Sequence, residues 1–347
     1  MLTPNNIARA IIAIACSIFT VLSINCKKGG PTEPIQGPTL VDRIAFTQDS
    51  DTDPLDVSVA DLVRDDTAFR ITNAHGVCQN GVSPRITFDR SMFSFIRLSN
   101  TLHPMIANSD GSNLHEVILD TAVNIDVASL SPDHQTVVFD IGFGGSQTFL
   151  GTSSAGGGKL TIIYSNPTWV FCSTWSPDGK KIYFQWDDGK NRFGHALGVL
   201  TKAYIASIAP DGSALHFVSD TLSAASDDYS PEASPDGTRL AFLSYRSRPG
   251  KLFEELFVMD TAGGNIHQVM PETVGPYHGT YYDYYTLDGP PHWIKDSDHI
   301  LFERQNYTYD QEIGHYHVSK DLYIIRSDGT GLQRLTSTGR STIAKRK

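Results

Sequence analysis

His315 and His317, one residue apart, are the nearest thing to metal chemistry in this chain. In an extended backbone residues i and i+2 share a face. Both imidazoles would then point the same way, and His278 or His292, with Asp283 or Glu312, could complete a divalent-metal site. The flanking sequence is rich in tyrosine. Tyr277, His278, Tyr281, Tyr282, Tyr284 and Tyr285 fall in one segment, Tyr307, Tyr309 and Tyr316 in the next, and Tyr245 and Arg246 shortly before. Tyrosine offers a broad apolar ring with a polar tip and loses little entropy on binding, which suits recognition of a protein surface. Stacking on a sugar is the alternative use. The plainer role is to pack a long loop against its own scaffold.

Other chemistries are excluded. The run Ala155-Gly156-Gly157-Gly158-Lys159 is followed by Leu160 where a phosphate loop needs Ser or Thr. A propeller-type serine peptidase needs a second domain with a Gly-x-Ser-x-Gly elbow, for which the chain has no room. Beyond the N-terminal region only Cys78 and Cys172 remain, expected as free thiols and too few for a cysteine zinc site. With 28 basic and 38 acidic residues the formal charge is −10. No clustered basic footprint for nucleic acid appears before Lys345-Arg346-Lys347.

The elements that must position these residues follow a repeat. Phe46, Phe95, Phe139, Phe184, Phe242 and Phe302 each end a short strand, spaced 49, 44, 45, 58 and 60 residues apart. Before the strand stands a turn such as Ser131-Pro132-Asp133-His134, Ser176-Pro177-Asp178-Gly179 or Ser234-Pro235-Asp236-Gly237. After it comes a second apolar run, such as Leu256-Phe257-Val258-Met259 or Leu322-Tyr323-Ile324-Ile325, then a glycine turn such as Gly263-Gly264 or Asp328-Gly329. Each unit reads as four short antiparallel strands without helical periodicity. A period of roughly 40–50 residues marks a propeller, so the expected fold is all-β: six blades of four-stranded antiparallel sheet over residues 40–347.

The paired Ser-Pro-Asp-Gly…Phe and Leu-Tyr-Ile-Ile…Asp-Gly motifs resemble the WD-like repeats of the TolB propeller family, across about residues 42–336. The resemblance implies an envelope protein that binds other proteins without catalysis or cofactor. That family's separate N-terminal α/β domain has no counterpart expected here. Propeller lyases acting on acidic oligosaccharides through His-bound metal also resemble this repeat type, which keeps His315 and His317 as metal candidates.

Residues 1–25 read as a leader, with Arg9 before an apolar run from Ala10 to Ile24. Leu22-Ser23-Ile24-Asn25-Cys26 resembles a lipobox that would make Cys26 a lipid-bearing N-terminus, and 26–39 a Pro/Gly-rich tether. The protein is therefore expected outside the cytoplasmic membrane, at the periplasmic side of the outer membrane or the cell surface. Unit 1 lacks the turn and strand that precede the Phe elsewhere, and the segment Arg340 to Ala344 is expected to supply that inner strand and seal the ring. The irregular lengths fall on the opposite face from the short turns: Gln185 to Lys202, Leu243 to Glu254, Pro271 to Pro291 and Glu303 to Lys320. That face of blades 4 to 6 is the expected binding face.

Overall fold

The computed structural model describes residues 39–50, 53–64, 68–78, 81–143, 147–165, 169–187, 203–219, 227–245, 255–270, 284–312, 314–336 and 342–344. All lie in the compact unit Pro38–Lys347. They comprise 24 strands, and no helix among them is long and apolar enough to cross a membrane. The leader, Cys26 and most of the tether lie outside the described residues.

The strands form six antiparallel sheets, each built of consecutive strands in chain order. Blade 1 holds Thr39–Ser50, Asp53–Arg64 and Phe69–Cys78. Blade 2 holds Gly81–Ile86, Met92–Leu98, Leu102–Asn108 and His115–Glu116. Blade 3 holds Asn124–Leu130, Thr136–Phe143, Gln147–Ser154 and Thr161–Ser165. Blade 4 holds Trp169–Trp175, Ile182–Asp187, Ala203–Ile208 and His216–Phe217. Blade 5 holds Asp228–Ala233, Arg239–Ser244, Glu255–Asp260 and His267–Gln268. Blade 6 holds Tyr284–Trp293, His299–Asp310, His315–Arg326 and Gln333–Arg334, with Thr342–Ala344 added at its edge. The expected blade architecture is met, with three strands in blade 1 and five in blade 6.

The repeated turn works through its serine. Ser176 Oγ donates to Asp178 (2.7 Å) and accepts from the Lys181 N–H (2.9 Å), while Gly179 takes φ 69°. Arg90 (φ 65°), His134 (φ 61°) and Ser297 (φ 58°) adopt the same left-handed backbone where their repeats lack the glycine. Glycine is required more strictly later in the repeat. A Cβ on Gly212 or Gly263 would collide with the carbonyl oxygen of Ile163 or Val218 in the preceding blade.

The core is divided among six hydrophobic clusters, each shared by two neighbouring blades. Phe95 packs between blades 1 and 2, Phe139 between 2 and 3, Phe184 between 3 and 4, Phe242 between 4 and 5, and Phe302 between 5 and 6. The first four are wholly buried and Phe302 is 2% exposed. Each contributes about 1.5–3 kcal/mol through the area it removes from water.

The sixth cluster closes the ring, and it corrects the expectation for the C-terminal segment. Thr342–Ala344 pairs with Tyr316 to Val318 of blade 6, not with blade 1. It covers strand edge left open beyond the short strand Gln333–Arg334. Blade 1 docks on blade 6 through Ile44, Leu62 and Phe69 against Ile294, Leu301 and Ile324. The Gln333 side-chain amide bonds both the N–H (3.0 Å) and the C=O (2.7 Å) of Phe69. Beside the place an inner strand would take, Asp42 accepts the Lys295 N–H (2.6 Å) and pairs with Arg90 (2.8 Å), tying blades 6 and 2 to blade 1 through side chains. The space left there, lined by Pro84, His292, Trp293 and Leu301 among others, is a cavity of about 10 Å³, the scale of one water.

Candidate functional site

Among the described residues, polar and aromatic side chains gather at the ring axis and along a long hairpin on blade 6.

At the axis, the inner strands of blades 2 to 6 all break register at the same point. The breaks lie at Val82/Arg85, Ile125/Val127, Phe171/Thr174, Tyr229/Glu232 and Asp288/His292. A bulge bends its strand and re-aims the side chains there. Four contain a left-handed residue: Ser83 (φ 54°), Cys172 (φ 53°), Ser230 (φ 52°) and Gly289 (φ 73°). The result is a buried polar cluster. Arg85 Nη1 lies 3.2 Å from Glu232 Oε2, and His292 Nδ1 lies 3.7 Å from Oε1 of the same carboxylate. Burial alone would raise the Glu232 carboxyl, but His292, Arg85 and Arg90 together hold it below the usual range. Asp140, wholly buried, accepts the Ser173 N–H (3.2 Å). Burial outweighs that bond and the nearby Arg85, pushing Asp140 up to about 6. Burial also raises the Cys172 thiol, whose Sγ lies 3.4 Å from Ser230 Oγ, and partial desolvation raises the carboxyl of Asp126, which stays exposed at the edge of the cluster. Among the described residues, Arg85 Nε is buried without a hydrogen-bond partner. Among the described residues, Cys78 and Cys172 form no disulfide.

On blade 6, the expected loop Glu303 to Lys320 is instead strand. His299–Asp310 and His315–Arg326 pair without a break from His299↔Arg326 to Asp310↔His315. The turn between them has Gly314 at φ 68°. The inner strand likewise begins at Tyr284, within the segment expected to be a link. Alternating aromatic and polar residues such as Tyr307-Thr308-Tyr309 carry the strand pattern, and the tyrosine content masked it.

The pairing separates two faces. Tyr307, Tyr309 and Tyr316 lie on one, all half-buried. Tyr316 meets Tyr309 edge-on at 5.1 Å and Tyr307 at 6.2 Å. The Tyr307 hydroxyl donates to Gln305 (2.8 Å). His315 and His317 lie on the other face beside Asp310, whose Oδ2 is 2.9 Å from His317 Nε2. That face also carries Arg304, its guanidinium 4.2 Å from the Tyr285 ring centroid.

The sequence candidates therefore divide. Tyr307, Tyr309 and Tyr316 come together through ring contacts. Tyr245 is half-buried and stacks on Tyr229 (5.7 Å) in blade 5. Tyr285 is a correction: at 7% exposed it belongs to the blade 5–6 core, because its strand turns it inward. Tyr284 stands opposite Tyr307 in register, with its side chain outside the described residues. Arg246, Tyr277, His278, Tyr281 and Tyr282 lie outside them altogether. His315 and His317 share a face, yet no group of three or more His, Cys, Asp or Glu side chains suited to a metal occurs among the described residues. The axis cluster was not foreseen. Its partners are far apart in sequence, and only the polar residues inside otherwise apolar inner strands signal it.

The chain matches no family model and no curated relative. Its likeness is to solved structures. A TolB from Acinetobacter baumannii is 16% identical, covers 87% of this chain and 65% of its own, and superposes with a TM-score of 0.60. A TolB-type protein from Agrobacterium tumefaciens is 17% identical over 76% of this chain and 84% of its own, at 0.56. An oligogalacturonate lyase from Vibrio parahaemolyticus is 13% identical over 88% and 78%, at 0.51. The chain spans just under two thirds of the Acinetobacter protein. At these identities the likeness is one of fold, and the chain folds as a TolB-like β-propeller.

Proposed function

We propose that this propeller is a protein-binding scaffold, anchored at the bacterial envelope by lipid on Cys26 and gripping an envelope protein with the variable face of blades 4 to 6. The observation that carries this reading is the blade-6 hairpin. It extends strands of 12 residues where blade 5 uses 6, and gathers Tyr307, Tyr309 and Tyr316 on one side. Ring edges and hydroxyls displayed on rigid strands form a preorganised contact surface with little left to order on binding.

The test is an affinity pull-down from detergent-solubilised envelopes with wild type and Tyr309→Ser/Tyr316→Ser. The proposal expects a protein enriched by wild type and lost with the variant, at unchanged melting temperature. Equal capture by both would refute this site.

A second reading, an acidic-glycan binder or metal-dependent lyase, draws on the opposite hairpin face with His315, His317 and Asp310. It requires stoichiometric metal after dialysis and loss of oligosaccharide cleavage in His317→Ala.

A further inference from the structure

Blade 2 carries a constellation that neither the scaffold nor the glycan reading uses. His103 Nδ1 lies 2.7 Å from Glu116 Oε1, and its Nε2 lies 2.9 Å from Ser99 Oγ and 2.8 Å from Thr101 Oγ1. Glu116 Oε2 accepts from Arg97 Nη2 at 3.4 Å. Three adjacent strands fix this order. Arg97 and His103 are cross-strand partners, and Glu116 sits opposite Met105 on the outer strand. Ser99 and Thr101 lie in the tight connection from Leu98 to Leu102. That connection is on the same face of the ring as the tip of the blade-6 hairpin.

We infer that Ser99, His103 and Glu116 form a nucleophilic relay able to cleave short-chain acyl esters. Glu116 can only accept, so it holds the imidazole with its proton on Nδ1 and leaves Nε2 free to take a hydroxyl proton. Arg97 anchors the second carboxylate oxygen and fixes the orientation. A hydroxyl on a base that is itself oriented by a carboxylate is the arrangement that activates serine. Ser99 offers the primary hydroxyl; its Oγ accepts the Thr101 N–H at 3.3 Å and donates to the Thr101 carbonyl at 3.1 Å, so its proton must turn from that carbonyl to His103 Nε2 for attack. Thr101 Oγ1 competes for the same Nε2.

The step balances. Ser99 Oγ bonds the ester carbonyl carbon and its proton passes to His103 Nε2. The carbon–oxygen bond to the alcohol breaks, and the alcohol departs with that proton. Water then attacks the acyl-serine through the same nitrogen, releasing the acid and restoring Ser99. Ser99 and Thr101 are exposed and His103 is about a quarter exposed (26%). The substrate is therefore an ester presented in solvent or on the surface of a larger molecule, not one enclosed by a pocket.

The probe is p-nitrophenyl acetate with the full-length protein. Ser99→Ala should fall to the buffer rate, and His103→Gln should lose about 100-fold. Glu116→Gln should lose at least about 10-fold. Nitrophenolate release by Ser99→Ala at the wild-type rate overturns the inference, as does wild type at the buffer rate. If Ser99→Ala fails to fold, wild type alone decides: a fluorophosphonate probe followed by peptide mapping must place its adduct on Ser99. An unlabelled Ser99, or an adduct on Thr101 instead, overturns the assignment.

Discussion

Arg85 and Glu232 meet at 3.2 Å although they belong to blades 2 and 5, three blades apart, so their ion pair crosses the middle of the ring. The Arg85 side chain is 6% exposed and that of Glu232 14%, so neither charge has water to fall back on. Removing one partner strands the other. Glu232→Gln or Arg85→Met should destabilise the fold by about 3–5 kcal/mol in chemical denaturation. The double variant Arg85→Met/Glu232→Leu should recover most of that loss. Equal losses in single and double variants would show that the pair is not what holds these side chains.

Asp140 gives the axis a pH dependence of defined sign. Its folded pKa, about 6, lies above the ordinary 3.8, so between those values the folded state holds a proton that the unfolded state has lost. Its contribution to stability is full below about pH 4 and declines as pH rises to about 6. Asp140→Asn keeps an acceptor for the Ser173 N–H without the buried charge. Measured against wild type, it should gain roughly 2–3 kcal/mol between pH 4 and pH 7. A difference that does not change with pH would contradict the raised value.

Two glycines separate close approach from mere flexibility. Gly263→Ala would drive a Cβ into the Val218 carbonyl at φ 87°, whereas Gly76 has open space around it. Thermal melts should show Gly263→Ala destabilised by more than about 2 kcal/mol and Gly76→Ala changed by about 0.5 kcal/mol at most. Similar melting temperatures would mean that blades 4 and 5 can move apart.

Truncation after Thr336 should leave global stability nearly intact and raise hydrogen exchange at Tyr316 to Val318, where Thr342–Ala344 pairs among the described residues. Phe69→Ala, by contrast, should cost about 3–5 kcal/mol, since Phe69 packs in the cluster that joins blades 1 and 6. A large loss on truncation with little on Phe69→Ala would return the sealing role to the tail.

What sequence alone conveyed follows a physical line. Phe95, Phe139, Phe184 and Phe242 recur because each blade must bury one ring against its neighbour, so architecture was written as period. Arg85 and Glu232 were not legible, since 147 residues separate them and their meeting depends on bulges at Ser83 and Ser230. The blade-6 hairpin was read as loop because its tyrosines suggested binding before they suggested strand. Ser99, His103 and Glu116 are not legible in sequence because blade pairing, not sequence spacing, brings Glu116 to the imidazole.

The joint between blades 1 and 6 has a mechanical consequence. It is fastened by side chains: the Gln333 amide on Phe69, the Asp42 carboxylate on Lys295, and the apolar contacts around Leu62. Tension applied along the chain at Thr39 enters the strand that carries Asp42. It loads those few fastenings before it strains any four-stranded sheet. That joint therefore carries such a load through side-chain contacts, where neighbouring strands within a blade would carry it through a ladder of backbone hydrogen bonds.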